Sequence, residues 1–351
     1  MALFPVIGRA PAGARRERVR RSPNYKGDRF ENPVPTEVII KGSSFFKMLR
    51  EYRHRPATTV PSGPIPSVMT DLRALPDEGV WIVWFGHSSY LLKVEGLTIL
   101  VDPVFSANAS PVSLFAKAFP GTEVYGVGEM PAIDVLLLTH DHYDHLDYKT
   151  VKVLAPKVGR VCTSLGVGAH LESWGVVAEK IVELDWWESW ERDGLTFMAA
   201  PARHFSGRGF KRGGTLWSSF VLKGRGHSLY LGGDSGYAQH FREIGERCGP
   251  FELAILECGQ YGKNWPYIHM MPEQTVQAAL ELRAAALLPV HWGKFTLALH
   301  PWNEPVRRLM AAFTEAQAAE GGKGLRLATP LIGEPVKVGG PYPDEWWWDF
   351  S

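Results

Sequence analysis

Hydrophobic positions in this chain gather into short, β-rich runs from about Trp81 onward. VWIVWFG, SYLLKVEG and LTILVDP each stop at Gly or Pro, the pattern of a strand meander. AIDVLLLTH is almost unbroken, as expected of a strand covered on both faces. Beyond it KIVEL, LTFMAAP, SSFVLKG, HSLYLGG, ELAILECG and AALLPVHW read as further strands interleaved with helical patterns. PEQTVQAALELRAAA is the clearest helix, with Pro272 at a favourable first-turn position. Strands followed by helices, twice over, predict a sheet-on-sheet core with helices outside.

The first part of the chain has another texture. Residues 1 to about 40 are rich in Arg, Pro and Gly without sustained periodicity, which predicts an extended arm draped on the main body. In SSFFKMLREYRHRP, Phe45, Met48, Leu49 and Tyr52 fall at helical spacing behind candidate capping residues Ser43 and Ser44. This short amphipathic helix is expected to pack on the domain, with membrane contact through its Lys and Arg flanks as the other reading. RPATTVPSGPIPSV then reads as a linker. The organisation is an arm, helix and linker over 1–78, followed by one main domain over 79–351.

Composition narrows the class. The formal net charge of +1 excludes a general nucleic-acid binder, which carries a large cationic excess. No run of eighteen apolar residues is present, so no membrane-spanning helix is expected. MALFPVIGRAPAGARRERVRR puts its apolar patch before its basic cluster, the wrong order for a secretory signal, and a cytoplasmic location is expected. Cys162, Cys248 and Cys258 are odd in number and widely spaced, which predicts buried thiols rather than a disulfide framework.

Chemistry concentrates where strands end. His140 to Asp147 puts three His and three Asp into eight residues directly behind the apolar run LLL. His140 and His142 stand two apart and so project to one side; Asp144 and His145 follow where the chain must turn. This His-x-His-x-Asp-His cluster suits zinc or a similar divalent ion. Downstream, His204 in MAAPARHFSG, Asp234 in LYLGGDSG and His291 in LLPVHWGKF each close a strand-like run. Alone, each would read as a loop residue or a satisfied core histidine. Together the five His and two Asp fit two zinc ions roughly 3.5–4 Å apart, with a shared carboxylate and an open position for water.

These residues resemble the metallo-β-lactamase superfamily of binuclear hydrolases. GHSSYLLKVEGLTILVDPVFS, PAIDVLLLTHDHYDHLD, ELDWWES, GGDSGY, GPFELAILECGQY and LPVHWGKF are similar to N-acyl-phosphatidylethanolamine phospholipases D and their bacterial relatives, as is FENPVPTE in the arm. The resemblance implies an α/β (α+β) fold, a four-layer αβ/βα sandwich with the metals at the edge between two sheets. It implies that His140, His142 and His204 hold one zinc, that Asp144, His145 and His291 hold the second, and that Asp234 bridges them. Iron or manganese can replace zinc at such ligands.

In that setting two zinc ions supply hydroxide at neutral pH, and Asp144 ligates one ion while orienting the nucleophile. His269, just ahead of a helix N-terminus, is the candidate acid or phosphate contact, matching a histidine of the related phospholipases. Trp265 and Tyr267, with Phe115 and Phe119, are expected to line an apolar approach for substrate. Asp102 and His87 are expected behind the ligands, with Asp102 accepting a ring N–H. Asp147 is read either in the same way or as the cap of the following helix. His54, His170, His227, His240 and His300 have no matching context and are read as structural or surface residues.

Two functions compete. One is a phosphodiesterase of phospholipase D type acting on a phospholipid or a small phosphodiester, its basic arm touching an anionic membrane peripherally at about 1 kcal/mol per Lys or Arg. The other is a soluble hydrolase of a lactone or small phosphorylated metabolite, similar to ascorbate-6-phosphate lactonases. An apolar channel favours the first and a small polar pocket the second. A purely binding role fits poorly with seven filled ligand positions, and a homodimer is allowed by the sequence without being required.

Overall fold

The computed structural model describes residues 5–43, 45–112, 115–209, 211–319 and 322–350. Ser44 and the Phe45 side chain, both invoked for the short helix, lie outside the described residues, as do Ser113 and Leu114. In the arm, helix α1 (Gly13–Arg21) is followed by the two-residue strands β1 (Tyr25–Lys26) and β2 (Arg29–Phe30), then helix α2 (Phe45–Arg53). The main body opens with the meander β3 (Val80–Trp84), β4 (Tyr90–Val94) and β5 (Leu97–Val101). Next come β6 (Ile133–Leu138), α3 (Tyr148–Leu154), β7 (Val158–Ser164), α4 (Gly168–Ser173) and β8 (Ile181–Leu184).

A second half repeats the plan. An antiparallel run, β9 (Ser189–Arg192), β10 (Leu195–Ala200), β11 (Ser219–Gly224) and β12 (His227–Leu231), precedes α5 (His240–Cys248) and β13 (Leu253–Glu257). Then follow α6 (Pro272–Glu281), β14 (Ala286–Val290), α7 (Glu304–Ala318), β15 (Arg326–Leu327) and β16 (Pro335–Lys337). One sheet has the order β16-β3-β4-β5-β6-β7-β8 and the other β15-β14-β13-β12-β11-β10-β9.

Side chains alternate across a strand, and that alternation builds the layers. Ile82, Trp84, Leu92, Ile99, Val135 and Leu137 bury against Phe197, Ala199, Val221 and Leu231 of the opposite sheet. Their neighbours Val83, Phe85, Leu91, Leu100, Leu136 and Leu138 pack under α3 and α4, on Val151, Leu154 and Leu171. The unbroken run at β6 therefore has two apolar faces to fill. Helices α5, α6 and α7 cover the second sheet through Phe241, Ile244, Val276 and Leu309. This is the helix, sheet, sheet, helix sandwich that the resemblance implied.

Strand direction positions the site. β5, β6, β7 and β8 are parallel, as are β12, β13, β14 and β15. The antiparallel pairs β3–β4 and β4–β5 give β3 the direction of β5, and β10–β11 and β11–β12 give β10 that of β12. The carboxyl ends of β3, β5, β6, β10, β12, β13 and β14 thus share an edge, where ligands bind in sheets of this kind.

Two expectations change. The helix read through PEQTVQAALELRAAA ends at Glu281: Arg283 adopts φ 56°, and Ala286 already starts β14. The arm contains α1, which no periodicity announced. Only Val19 of that helix is buried; its docking relies on Arg15, whose guanidinium forks onto Glu172 and Glu183 at 2.7–2.9 Å. Ion pairing leaves no apolar stripe to detect. Among the described residues, no helix is long and apolar enough to cross a membrane. The three cysteines are buried and unpaired, as expected.

Candidate metal centre

β6 ends at Leu138, and after Thr139 the turn from His140 to Leu146 precedes Asp147, which opens α3. Across the cleft, β10, β12 and β14 deliver His204, Asp234 and His291. Gly233 lets the sheets approach this closely: a Cβ there would stand 2.9 Å from Thr139 Cβ and 2.8 Å from Ser218 O. All seven residues converge on one edge.

Imidazole nitrogens face one another there. His140 Nε2 and His204 Nε2 lie 2.9 and 3.1 Å from the same atom, His142 Nδ1. Asp234 spans two groups: Oδ2 sits 3.9 Å from His140 Nε2 and 3.6 Å from His204 Nε2, while Oδ1 lies 3.1 Å from both His145 Nε2 and His291 Nδ1. Two four-residue groups, His140–His142–His204–Asp234 and His87–Asp144–His145–His291, each keep their donor atoms within 4.8 Å of one another. His145 Nε2 and His291 Nε2 are buried and, among the described residues, have no hydrogen-bond partner. Buried polar atoms normally find partners, so converging lone pairs without them fit a bound cation.

Protonation agrees with this. Burial holds His140, His204 and His291 well below the usual imidazole range, helped by neighbouring histidines, and lowers His142 to about 4 despite Asp141 and Asp144. Neutral imidazole is the ligand form. His145 goes the other way: burial opposes charge, but Asp234, Asp144 and Asp102 together raise it well above the usual range. Burial pushes Asp234 up to about 6, against the pull of His145. The carboxylates demand local positive charge, which a divalent ion supplies.

The groups behind the ligands fix their rings. Asp102 Oδ2 accepts from His145 Nδ1 at 2.7 Å, and Asp102 also accepts from the Thr139 N–H and hydroxyl. His204 Nδ1 donates to Ile268 O at 2.8 Å, leaving Nε2 for the cluster. His87 stands nearer than expected, with Nε2 3.0 Å from Asp144 Oδ2. His87, Asp102 and His291 all have positive φ (53°, 40° and 66°). Such backbone strain in non-glycine residues concentrates at functional sites.

The structure decides between the two readings of Asp147, and three aromatic placements differ from the sequence reading. Asp147 is a cap: its carboxylate accepts from Lys149 N, Thr150 Oγ1 and Ser106 N, which leaves it no ring to hold. Tyr267 is 42% exposed and its ring lies against the Arg203 guanidinium, outside the cavity wall. Phe119 is buried in the inter-sheet core, and Phe115 is exposed at the surface. Loop aromatics take whichever apolar neighbour the fold brings, which spacing does not encode.

Trp265 and His269 do reach the site. They border a cavity of about 230 Å³ with Val38, Ile39, Met48, Ile268 and Leu297, above His142, Asp144, His204, Asp234 and His291. Met48 comes from α2 and Val38 and Ile39 from the arm, so the N-terminal segment roofs the cluster. A larger groove of about 1560 Å³ adjoins it, sharing Val38, Ile39, His204, Phe205 and Arg212.

Sequence reasoning missed the supporting network. Asp141, between two ligands, accepts from Gly207 N and Thr215 Oγ1 and lies 3.3 Å from His170 Nε2. Arg208, buried, donates from Nη1 to the Asp141 and Leu146 carbonyls, both at 2.7 Å, bracketing the turn. Glu257 pairs with His269 Nδ1 at 2.7 Å. A signal for Glu257 existed: it ends the β13 apolar run, as the ligands end theirs. His170, His240, His227 and His300 are all hydrogen-bonded within the fold, as their lack of context implied.

Comparison with known proteins agrees with this geometry. The family model described as "Beta-lactamase superfamily domain" matches residues 98–292. An uncharacterized protein of Mycobacterium tuberculosis is 39% identical over 349 residues, covering 98% of this chain and 92% of its own length. The mitochondrial N-acyl-phosphatidylethanolamine-hydrolyzing phospholipase D of Saccharomyces cerevisiae is 32% identical over 266 residues, 73% of this chain and 55% of that protein. Among solved structures, a metallo hydrolase of Ignicoccus hospitalis shares the fold with a TM-score of 0.54 at 21% identity, over 73% of this chain and 97% of that one.

Proposed function

This chain belongs to the metallo-β-lactamase superfamily of metal-dependent hydrolases, and from that premise we propose that it is a binuclear zinc phosphodiesterase of phospholipase D type acting on N-acyl-phosphatidylethanolamine-like glycerophospholipids. His140, His142 and His204 would hold one ion and Asp144, His145 and His291 the other, with Asp234 facing both groups. Zinc bound there would supply a water nucleophile activated at neutral pH and polarisation of the phosphoryl oxygen.

The chain's own residues do the rest. Asp144, held by His87, orients the attacking water. His269 borders the cavity with Nδ1 held by Glu257 and donates a proton from Nε2 to the departing alkoxide. The arm and α2 exclude bulk water from above.

The observation that carries the substrate class is the wall of the cavity. Val38, Ile39, Met48, Ile268 and Leu297 give it an apolar part beside Arg212, Gln260 and the His and Asp cluster, as a substrate with both an acyl chain and a phosphoryl group requires. A long chain exceeds about 230 Å³, and the adjoining groove offers it apolar surface at Ile7 and Val34 among exposed cations such as Arg9 and Lys211. Those cations suit an anionic headgroup or membrane surface. The phospholipase relative supports the same reading, within the span it shares with this chain.

The test combines metal analysis of the purified protein with hydrolysis of bis-p-nitrophenyl phosphate and of long-chain N-acyl-phosphatidylethanolamine in detergent micelles. About two metals per chain with lipid cleavage is the expected result. Activity on the small diester alone would move the substrate to a soluble phosphorylated metabolite or a lactone. Absence of metal and of turnover after zinc is supplied would overturn the hydrolase site itself.

A further inference from the structure

Behind His269 lies a carboxylate that the proposed chemistry has not yet used. Glu257 is the last residue of β13, and its side chain is buried. Oε1 accepts from the Ser235 N–H at 2.8 Å and the Met270 N–H at 3.2 Å, while Oε2 faces His269 Nδ1 at 2.7 Å. The Glu257 carbonyl accepts from Thr275 Oγ1 at 2.8 Å, tying the strand end to α6. The loop between is fixed too, since Met271 N donates to Gln274 Oε1 at 3.0 Å.

We infer that Glu257 is the positioning residue for His269, fixing the ring so that Nδ1 carries a proton toward the carboxylate and Nε2 is presented to the leaving-group oxygen. This rests on the reading of His269 as the acid. A carboxylate that accepts from Nδ1–H orients the ring and favours its doubly protonated form, which carries the second proton on Nε2 for the departing oxygen. In the balanced step, water adds its oxygen to phosphorus and the P–O bond to the alcohol breaks. The Nε2 proton passes to the departing oxygen, and the proton lost by the water replaces it, giving phosphomonoester and alcohol.

Glu257 also falls within 4.8 Å of Asp234, His269 and His291, so a metal-ligand role is its rival. Its oxygens argue against that role. Both already accept hydrogen bonds, whereas His145 Nε2, His291 Nε2 and Asp234 Oδ1 of the proposed ligands are buried without a hydrogen-bond partner among the described residues.

The experiment compares wild type, Glu257→Gln and His269→Gln on methyl p-nitrophenyl phosphate and methyl phenyl phosphate, with metal content and His269 ring ¹⁵N shifts recorded. An acid matters for a poor leaving group and little for a good one. Loss of about 10²-fold on the phenyl ester in both variants, with a much smaller loss on the nitrophenyl ester, is expected. Metal content should be unchanged, and in Glu257→Gln the His269 Nδ1 shift should move away from that of a nitrogen hydrogen-bonded to a carboxylate. If His269→Gln is selective for the phenyl ester and Glu257→Gln is not, the inference fails while His269 stands as the acid. If His269→Gln shows no such selectivity, the acid reading itself fails. Lower metal content in Glu257→Gln would make Glu257 a ligand and overturn the inference. Glu257→Ala, with its circular dichroism recorded, separates misfolding from loss of positioning.

Discussion

Asp102 Oδ2 lies 2.7 Å from His145 Nδ1, joining the ends of the adjacent parallel strands β5 and β6. The contact gives His145 one tautomer and leaves its Nε2 for a metal. Asp102 sits at φ 40°, which Asn tolerates, so Asp102→Asn should keep the backbone and remove only the charge. Metal affinity should fall about 10–100-fold, read by chelator competition, with the melting temperature of the metal-free protein little changed. Undiminished affinity would remove Asp102 from behind the ligand.

Among the described residues, Asp234 is the one carboxylate that faces both histidine groups. Asp234→Asn and His142→Ala should each lose metal and nearly all turnover while the far-ultraviolet circular dichroism stays that of the wild type. Elemental analysis on the purified variants checks this, and retained turnover in either would contradict the ligand assignment.

Arg208 holds two carbonyls of the metal turn and, through Nε and Nη2, the carbonyl of Val6 in the arm. Arg208→Met should destabilise the fold by about 3–5 kcal/mol, because buried acceptors lose a charged donor and Asp141 its nearby cation. Urea unfolding of the metal-free protein measures this without interference from ligand binding.

Trp348 is fully buried, with its ring 5.8 Å from that of Trp292, the residue after His291. Trp347 stacks on Trp292 at 5.1 Å. The C-terminal aromatics therefore back the strand end that carries a ligand. Trp348→Ala should cost about 3–5 kcal/mol in chemical denaturation, a large share of a typical domain's stability.

His227 bridges Glu95 and Glu252 at 3.1 and 3.0 Å, far from the cluster. Burial lowers its pKa, but the two carboxylate hydrogen bonds outweigh that and raise it. A raised histidine contributes stability fully below the unfolded value of about 6.5 and loses it as pH rises through the folded value. Unfolding free energies should therefore show wild type losing its margin over His227→Gln across that window. The margin should be below about 1 kcal/mol, since the cluster is partly solvated.

Much of this site was legible along the chain. Histidine and aspartate are scarce enough at strand ends that His140, His142, His204, Asp234 and His291 stood out, and the apolar runs preceding them marked β6, β10, β12 and β14. Residue type and period two are local properties, and a local property survives without knowledge of the fold. The arm helix did not announce itself, because Arg15 docks it by charge.

What the sequence determined is therefore the strands β3–β6, β8 and β10–β14, but not β7 or β9, together with a set of His and Asp at strand ends able to bind metal. Only the tertiary structure decided that Asp147 caps a helix, that Tyr267 turns to Arg203, and that Glu257 stands behind His269. It also decided that the arm and α2 roof the cavity. The physical reason is common to all four. A side chain's partner depends on which strand ends the two sheets bring together, and that pairing is set by packing between residues far apart in the chain.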